Sequence, residues 1–114
     1  MPRKKVKKDW GHEEYTADEP EYCGKLLVID PDWQCSLHMH PVKKETFFVL
    51  TGMVVLELGS AQVGAIKGDR FTVLPGTKHR FGSIGGATLI ETSTHHEDDD
   101  VVRFEPSRRI SEDR

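Results

Sequence analysis

The sequence predicts an all-β protein folded as one small antiparallel sandwich or closed barrel, and three observations predict it. Apolar residues fall in short runs separated by turn signals. No segment longer than about one turn carries helical periodicity. Ten glycines and six prolines punctuate the 114 residues. About seven to ten short strands at this spacing are the pattern of a sandwich or barrel, and the length suits a single core.

The segments follow in order. Residues 1–9, with the basic run "MPRKKVKK", read as a flexible tail, solvated rather than a nucleic-acid arm, because the whole chain has a formal net charge of −3. That run lacks the apolar stretch of a secretory signal. A barrel domain over residues 10–105 begins with a polar stretch and then the apolar run Leu26 to Ile29. "DPDW" (Asp30 to Trp33) is a turn with proline at its second position. "QCSLHMH", "ETFFVLTG" and "MVVLELG" come next, the last two read as a hairpin joined through Thr51 and Gly52. "GDRFTVLPGTKHRFG" and "ATLIETSTHH" are strand-like, and residues 106–114 form a polar tail. No apolar run reaches the roughly 20 residues of a membrane span. Cys23 and Cys35 sit in apolar segments without metal-type spacing, so reduced, buried thiols and a cytoplasmic location are expected.

"LHMHPVKKETFFVLTG" (Leu37 to Gly52) carries the chemistry. Residues two apart on a strand share a face, so His38 and His40 project together. Glu45 opens the following strand in phase with Phe47 and Val49 and can face the same interior. His79 follows the turn in "LPGTKH". Three neutral imidazoles and a carboxylate suit one divalent first-row metal, with positions left for water or substrate.

These residues reproduce the two motifs of the cupin superfamily. His38, His40, Glu45 and Gly52 match every interval of the first, with Asp32 in place of its leading glycine. Gly68, Pro75, Gly76 and His79 match the second, with one extra residue before the proline and no asparagine after the histidine. The resemblance implies a small antiparallel cupin barrel, a double-stranded β-helix or jelly roll, whose His38, His40, Glu45 and His79 hold a divalent metal: manganese, zinc or iron. More narrowly, "KDWGHEEY", "GKLLVI", "KKETFFVLTG", "LPGTKHRF", "TLIE" and "EDDDVVRFEPSRR" resemble blocks of type II phosphomannose isomerase cupin domains and of lyxose isomerases. His38 follows the lyxose isomerases, since the phosphomannose enzymes usually have glutamine there.

That resemblance implies aldose–ketose isomerisation of a sugar or sugar phosphate through a metal-stabilised enediolate, with a homodimer as the assembly and no nucleic-acid or membrane partner. Such chemistry needs an acid and a base as well as a Lewis acid. Lys25 matches a functional lysine of the family and equally suits a surface strand. Glu91, between apolar neighbours, is a base if strand phase turns it inward. Arg103 either holds a substrate end or pairs with Asp98, Asp99 or Asp100. His95 and His96 read as surface imidazoles. Two other classes share the ligand pattern: non-catalytic sugar or effector binders and iron oxygenases.

Overall fold

The computed structural model describes residues 3–113. It is built from twelve strands: β1 (Lys5–Lys8), β2 (Gly11–Asp18), β3 (Tyr22–Ile29), β4 (Trp33–Gln34), β5 (Leu37–Met39), β6 (Glu45–Leu58), β7 (Ala61–Ile66), β8 (Arg70–Val73), β9 (His79–Ser83), β10 (Ala87–Thr94), β11 (Val102–Glu105) and β12 (Arg108–Arg109). A 3-10 helix, Ile110–Asp113, follows. The pairings are antiparallel and make two faces. One runs β1-β2-β3-β10-β6-β8, and the other joins β7, β6 and β9 to the short strands β4, β5, β11 and β12.

β6 belongs to both faces. Its first half pairs with β10 and β8 and its second half with β7 and β9. The expected hairpin at Thr51 and Gly52 is therefore a bend within one 14-residue strand. Only Gly52 takes a positive φ (81°) there, whereas a two-residue hairpin turn needs its first or both central residues in that region. A Cβ on Gly52 would collide with the Gly86 carbonyl, so the bend needs glycine. The actual two-residue turn is Gly59 and Ser60, between the paired residues Leu58 and Ala61. Glycine stands first there with φ 61°.

Strands lie near both limits of the described residues. Lys5–Lys8 pairs with β2, and Arg108–Arg109 pairs with β4. The charged runs hid these strands because β1 is an edge strand, where lysine is a common outward residue.

Register stacks the interior in layers. Leu27, Leu89 and Val49 face one another across β3, β10 and β6, with Ile29 and Ala87 beyond them. Phe47, Val54, Leu56, Phe81 and Trp10 complete this apolar end, with Trp10 edge-on to Phe81 at 5.3 Å between ring centroids. One step along the strands the residues change character, and Tyr15, Lys25, Glu91 and Phe47 are register neighbours. The period-2 alternation that buries Leu27 and Leu89 thus also buries Lys25 and Glu91, each 3% exposed. Cys23 and Cys35 are buried free thiols.

The Asp30–Trp33 turn closes with Trp33 N–H donating to the Asp30 carbonyl at 3.2 Å. Asp32, at the position the first motif gives to glycine, has φ 66°, the left-handed value a type II turn needs at its third residue. Aspartate tolerates it better than most side chains. Its carboxylate accepts from Ser111 N–H (3.0 Å) and Ser111 Oγ–H (2.7 Å), fastening the last residues to the barrel. Asp32→Ala should therefore cost about 1–2 kcal/mol through the lost hydrogen bonds and the backbone penalty. Asp32→Gly should cost less, because glycine keeps the turn. Urea denaturation of the three proteins checks the order, and equal midpoints would contradict it.

Candidate functional site

β5 delivers His38 and, just past its end, His40; β6 begins with Glu45; β9 begins with His79. His38 and His79 are direct partners across the β5–β9 pair, and their rings lie 4.4 Å apart. The turn before His79 is tied to the first motif by Gly76 N–H donating to the His40 carbonyl at 2.8 Å. Two segments distant in sequence thus share one cluster: a ligating nitrogen from each of the three imidazoles lies within 4.8 Å of the others. Glu45 Oε1 approaches His79 Nε2 to 3.0 Å and His40 Nε2 to 3.3 Å.

Each imidazole is oriented from behind. His38 Nδ1–H donates to the Ser36 carbonyl (2.7 Å), His40 Nδ1–H to the Asp100 carbonyl (2.7 Å) and His79 Nδ1–H to the Thr77 carbonyl (2.9 Å). A carbonyl can only accept, so the proton sits on Nδ1 and the neutral ring turns the lone pair of Nε2 towards the cluster. Burial, and then the neighbouring His79, push the His38 imidazolium down to about 3, so that ring is neutral at ordinary pH.

Glu45 Oε1 and His79 Nε2 are buried without a hydrogen-bond partner, although they are close. Two lone pairs aimed into one space repel each other unless a cation lies between them. Three neutral imidazoles and a carboxylate, each imidazole fixed by a backbone carbonyl, therefore fit a divalent metal.

The cluster opens into a cavity of about 520 Å³ whose lining also includes Lys25, Glu91, Arg103, Lys43 and Tyr15. Both open questions of strand phase are answered inward. Lys25 Nζ lies 3.4 Å from Glu13 Oε1 and 4.8 Å from the centre of the Tyr15 ring. Burial alone would lower its pKa, but Glu91, Glu13 and Tyr15 outweigh that and the net shift is upward, so Lys25 stays an ammonium. Burial and then the charge of Glu45 raise the Glu91 carboxyl above the ordinary glutamate value, against Lys43 and Lys25. Arg103 stands exposed on β11, opposite His38 in register. Among the described residues it has no ion pair with Asp98, Asp99 or Asp100.

Three further residues belong to this site that the sequence did not assign to it. Lys43, 3% exposed, is ion-paired with Glu45 Oε2 at 3.3 Å and donates to Glu91 Oε2 at 3.5 Å. Asp100 accepts Val42 N–H and Lys43 N–H, both at 2.9 Å, while its carbonyl orients His40. His96, expected at the surface, is half-buried in the cavity wall, with Nε2 against Asp98 Oδ1 at 2.9 Å. His95 is exposed. The available signal was the phase of "KKE": in an extended chain Lys43 shares a face with Glu45.

A curled antiparallel sheet that gathers two sequence motifs at one imidazole–carboxylate cluster defines a small cupin. The chain matches the cupin domain over residues 25–94 and belongs to that family. It is 30% identical to the D-lyxose/D-mannose isomerase of Thermosediminibacter oceani over an alignment of 120 positions, which covers 80% of this chain and 66% of that protein, just under two thirds of its length. Its fold is similar to Streptomyces PAC13 with uridine (TM-score 0.83, 18% identity, 96% of this chain and 89% of that one). It is also similar to the capsular polysaccharide assembling protein CapF of Staphylococcus aureus (TM-score 0.81, 18% identity), covering 91% of this chain and 34% of CapF. No helix among the described residues is long and apolar enough to cross a membrane.

Removing an imidazole should empty the cluster, so His40→Ala is expected to lose most metal uptake. Asp100→Ala keeps the carbonyl that orients His40 but frees the segment carrying Lys43, and should weaken uptake less than His40→Ala does. Metal analysis after exposure to manganese, zinc or iron tests both. A wild-type protein that gains none of the three would refute the metal centre.

Proposed function

We propose that this cupin is a metal-dependent isomerase that interconverts an aldose and a ketose, as a free sugar or a sugar phosphate. The observation that carries the reading is that the imidazole–carboxylate cluster and a buried acid–base pair, Lys25 and Glu91, open into one cavity. The 30% identity to a D-lyxose/D-mannose isomerase supports the same chemistry.

The residues that would hold the ion are His38, His40, Glu45 and His79. When bound, a divalent metal supplies Lewis acidity for the charge that develops on two neighbouring substrate oxygens. Glu91 takes the proton from the carbon next to the carbonyl and returns it to the neighbouring carbon. Its Oε2 is held by Lys43, which leaves Oε1 for the transfer. A raised carboxyl pKa makes it a stronger base than an ordinary glutamate once ionised. Lys25, held as an ammonium, is the acid of the pair rather than a base: the proton it gives to the oxygen that becomes a hydroxyl is regained from the neighbouring hydroxyl as that becomes the carbonyl. Arg103 at the mouth grips the far end of the substrate, where a phosphate or hydroxyls would lie. The apolar end of the barrel closes the floor of the cavity with Leu27, Phe47 and Phe81.

The homodimer expected from the resemblance is part of this proposal. Leu26, Ile90 and Phe48 are neighbours by register, and Phe48 is 38% exposed. They form an apolar stripe on the outer face of the β3-β10-β6 sheet, of the kind that association covers. A monomer by light scattering at micromolar concentration would oppose it.

Lys25→Met and Glu91→Gln should each retain metal and lose about 10²–10⁴ of turnover. Glu91 must be ionised to accept a proton, so the wild-type rate should fall on acidification as its carboxyl is protonated, at a pH that burial raises and a bound cation lowers. Solvent deuterium should enter the substrate at the carbon that gives up its proton. If no aldose or ketose, free or phosphorylated, exchanges that hydrogen with metal-loaded protein, the isomerase reading fails and a sugar-binding role replaces it. Turnover lost when iron is exchanged anaerobically for manganese or zinc would instead indicate an oxygenase.

A further inference from the structure

Lys43 is the most buried cation of the site to which no task has been given. It precedes Glu45 by two residues and shares its inward phase. Its Nζ has three neighbours: Glu45 Oε2 at 3.3 Å, Glu91 Oε2 at 3.5 Å and His96 Nδ1 at 3.2 Å. An ammonium has three donors and no lone pair. It follows that His96 Nδ1 accepts, and that the proton of His96 lies on Nε2, which faces Asp98 Oδ1 at 2.9 Å. The Lys43 ammonium thus has three protein partners, an ion pair with Glu45 and hydrogen bonds with Glu91 and His96.

The division of oxygens is the informative feature. On Glu45, Oε2 is taken by Lys43 and Oε1 is the oxygen beside His40 and His79. On Glu91, Oε2 is taken by the same ammonium. The backbone of this segment is held as well, since Val42 N–H and Lys43 N–H both donate to the Asp100 carboxylate.

We propose that Lys43 is a positioning residue: its ammonium ties back one oxygen of Glu45 and one of Glu91, so that Glu45 offers a single oxygen to the ion and Glu91 is held at a fixed reach from it. The proposal rests on the metal-site part of the function proposed above and is independent of the sugar chemistry. Without Lys43, the Glu45 carboxylate is free to rotate and to present both oxygens, which changes the donor set without touching an imidazole.

Cobalt(II) reports this directly, because its visible absorption depends on the number and geometry of its ligands. Full-length wild-type protein, Lys43→Met and Lys25→Met would be titrated with cobalt(II), following affinity and spectrum, with circular dichroism as the check on folding. Lys43→Met should bind about 10–100-fold more weakly, as expected when an outer partner of a ligand is lost, and with a changed spectrum. Lys25→Met removes an equal charge from the same cavity and from Glu91 but makes no contact with Glu45, so it should keep wild-type affinity within about twofold and the wild-type spectrum.

Wild-type affinity and spectrum in Lys43→Met would overturn the proposal. So would an equal loss in Lys25→Met, which would make the effect one of charge alone. Should Lys43→Met not fold, Lys43→Arg carries the test: it keeps the charge, but its planar head cannot reproduce the three-way arrangement. Weaker binding with a changed spectrum would support positioning, and wild-type behaviour would overturn it. A wild-type protein that binds no cobalt at all refutes the metal centre itself, before any variant is compared.

Discussion

Three hydrogen bonds, from the Nδ1–H groups of His38, His40 and His79 to the carbonyls of Ser36, Asp100 and Thr77, are the constraint on which the site depends. Each fixes a tautomer as well as a ring plane. A neutral imidazole protonated on Nε2 would point a donor into the cluster and repel a cation, whereas protonation on Nδ1 points a lone pair there. Two of the three acceptors lie two residues before the histidine they serve, so those rings are oriented by their own local backbone. The acceptor for His40 is Asp100, sixty residues away. Bringing the segment before β11 against β5 is therefore part of making the site, and a chain that had paired only its central strands would have two oriented rings and one free.

The core and the chemistry are carried by the same strands. β3 and β10 bury Leu27 and Leu89 in one layer and Lys25 and Glu91 in the next. A buried ion pair is a weak source of stability, because desolvation offsets much of its attraction. The apolar end must then supply most of the stabilisation, and it does so with large side chains: truncating one such as Phe47 typically costs about 3–5 kcal/mol. The rigidity of that end sets the register, and the register decides which charged groups meet. A slip of one residue in β10 would turn Glu91 to solvent and put Ile90 in the cavity.

How far the sequence was legible depends on the range of the forces that place each group. His38, His40 and Glu45 could be read because strand alternation is local and the spacing fixes their common face. His79 could be named as the third imidazole from its place after a turn but not placed beside His38, since that partnership is a register fact. Lys25 and Glu91 were ambiguous because an isolated strand does not reveal which of its faces is inside. Lys43 passed unnoticed among adjacent charged residues, since what draws it inward is two carboxylates from different strands and the grip of Asp100 on its backbone. The bend at Gly52 was misread for a related reason: a glycine between two apolar runs marks a turn or a kink alike, and only pairing with β10 on one side and β7 on the other makes it a kink. The strands at Lys5–Lys8 and Arg108–Arg109 owe their existence to a neighbour's free edge rather than to their own composition.

The charge inventory of the cavity connects these points. Around the cluster, two buried ammonium groups, Lys25 and Lys43, face three carboxylates, Glu13, Glu45 and Glu91, and the three ligand-type imidazoles add no charge when neutral. With every carboxylate ionised these five groups carry one excess negative charge, which burial penalises, while Arg103 stands exposed at the mouth and Arg80 is paired with Glu105. The upward shift of Glu91, driven by burial and by Glu45, is the protein's response to that excess. A divalent cation would reverse its sign: the same arrangement that strains towards protonating Glu91 on its own would, with the ion in place, favour Glu91 as a carboxylate and favour any substrate form that carries negative charge. The strand register that buries these groups therefore does more than collect acid and base residues. It leaves the five groups around the cluster one positive charge short, which a bound divalent ion would more than supply.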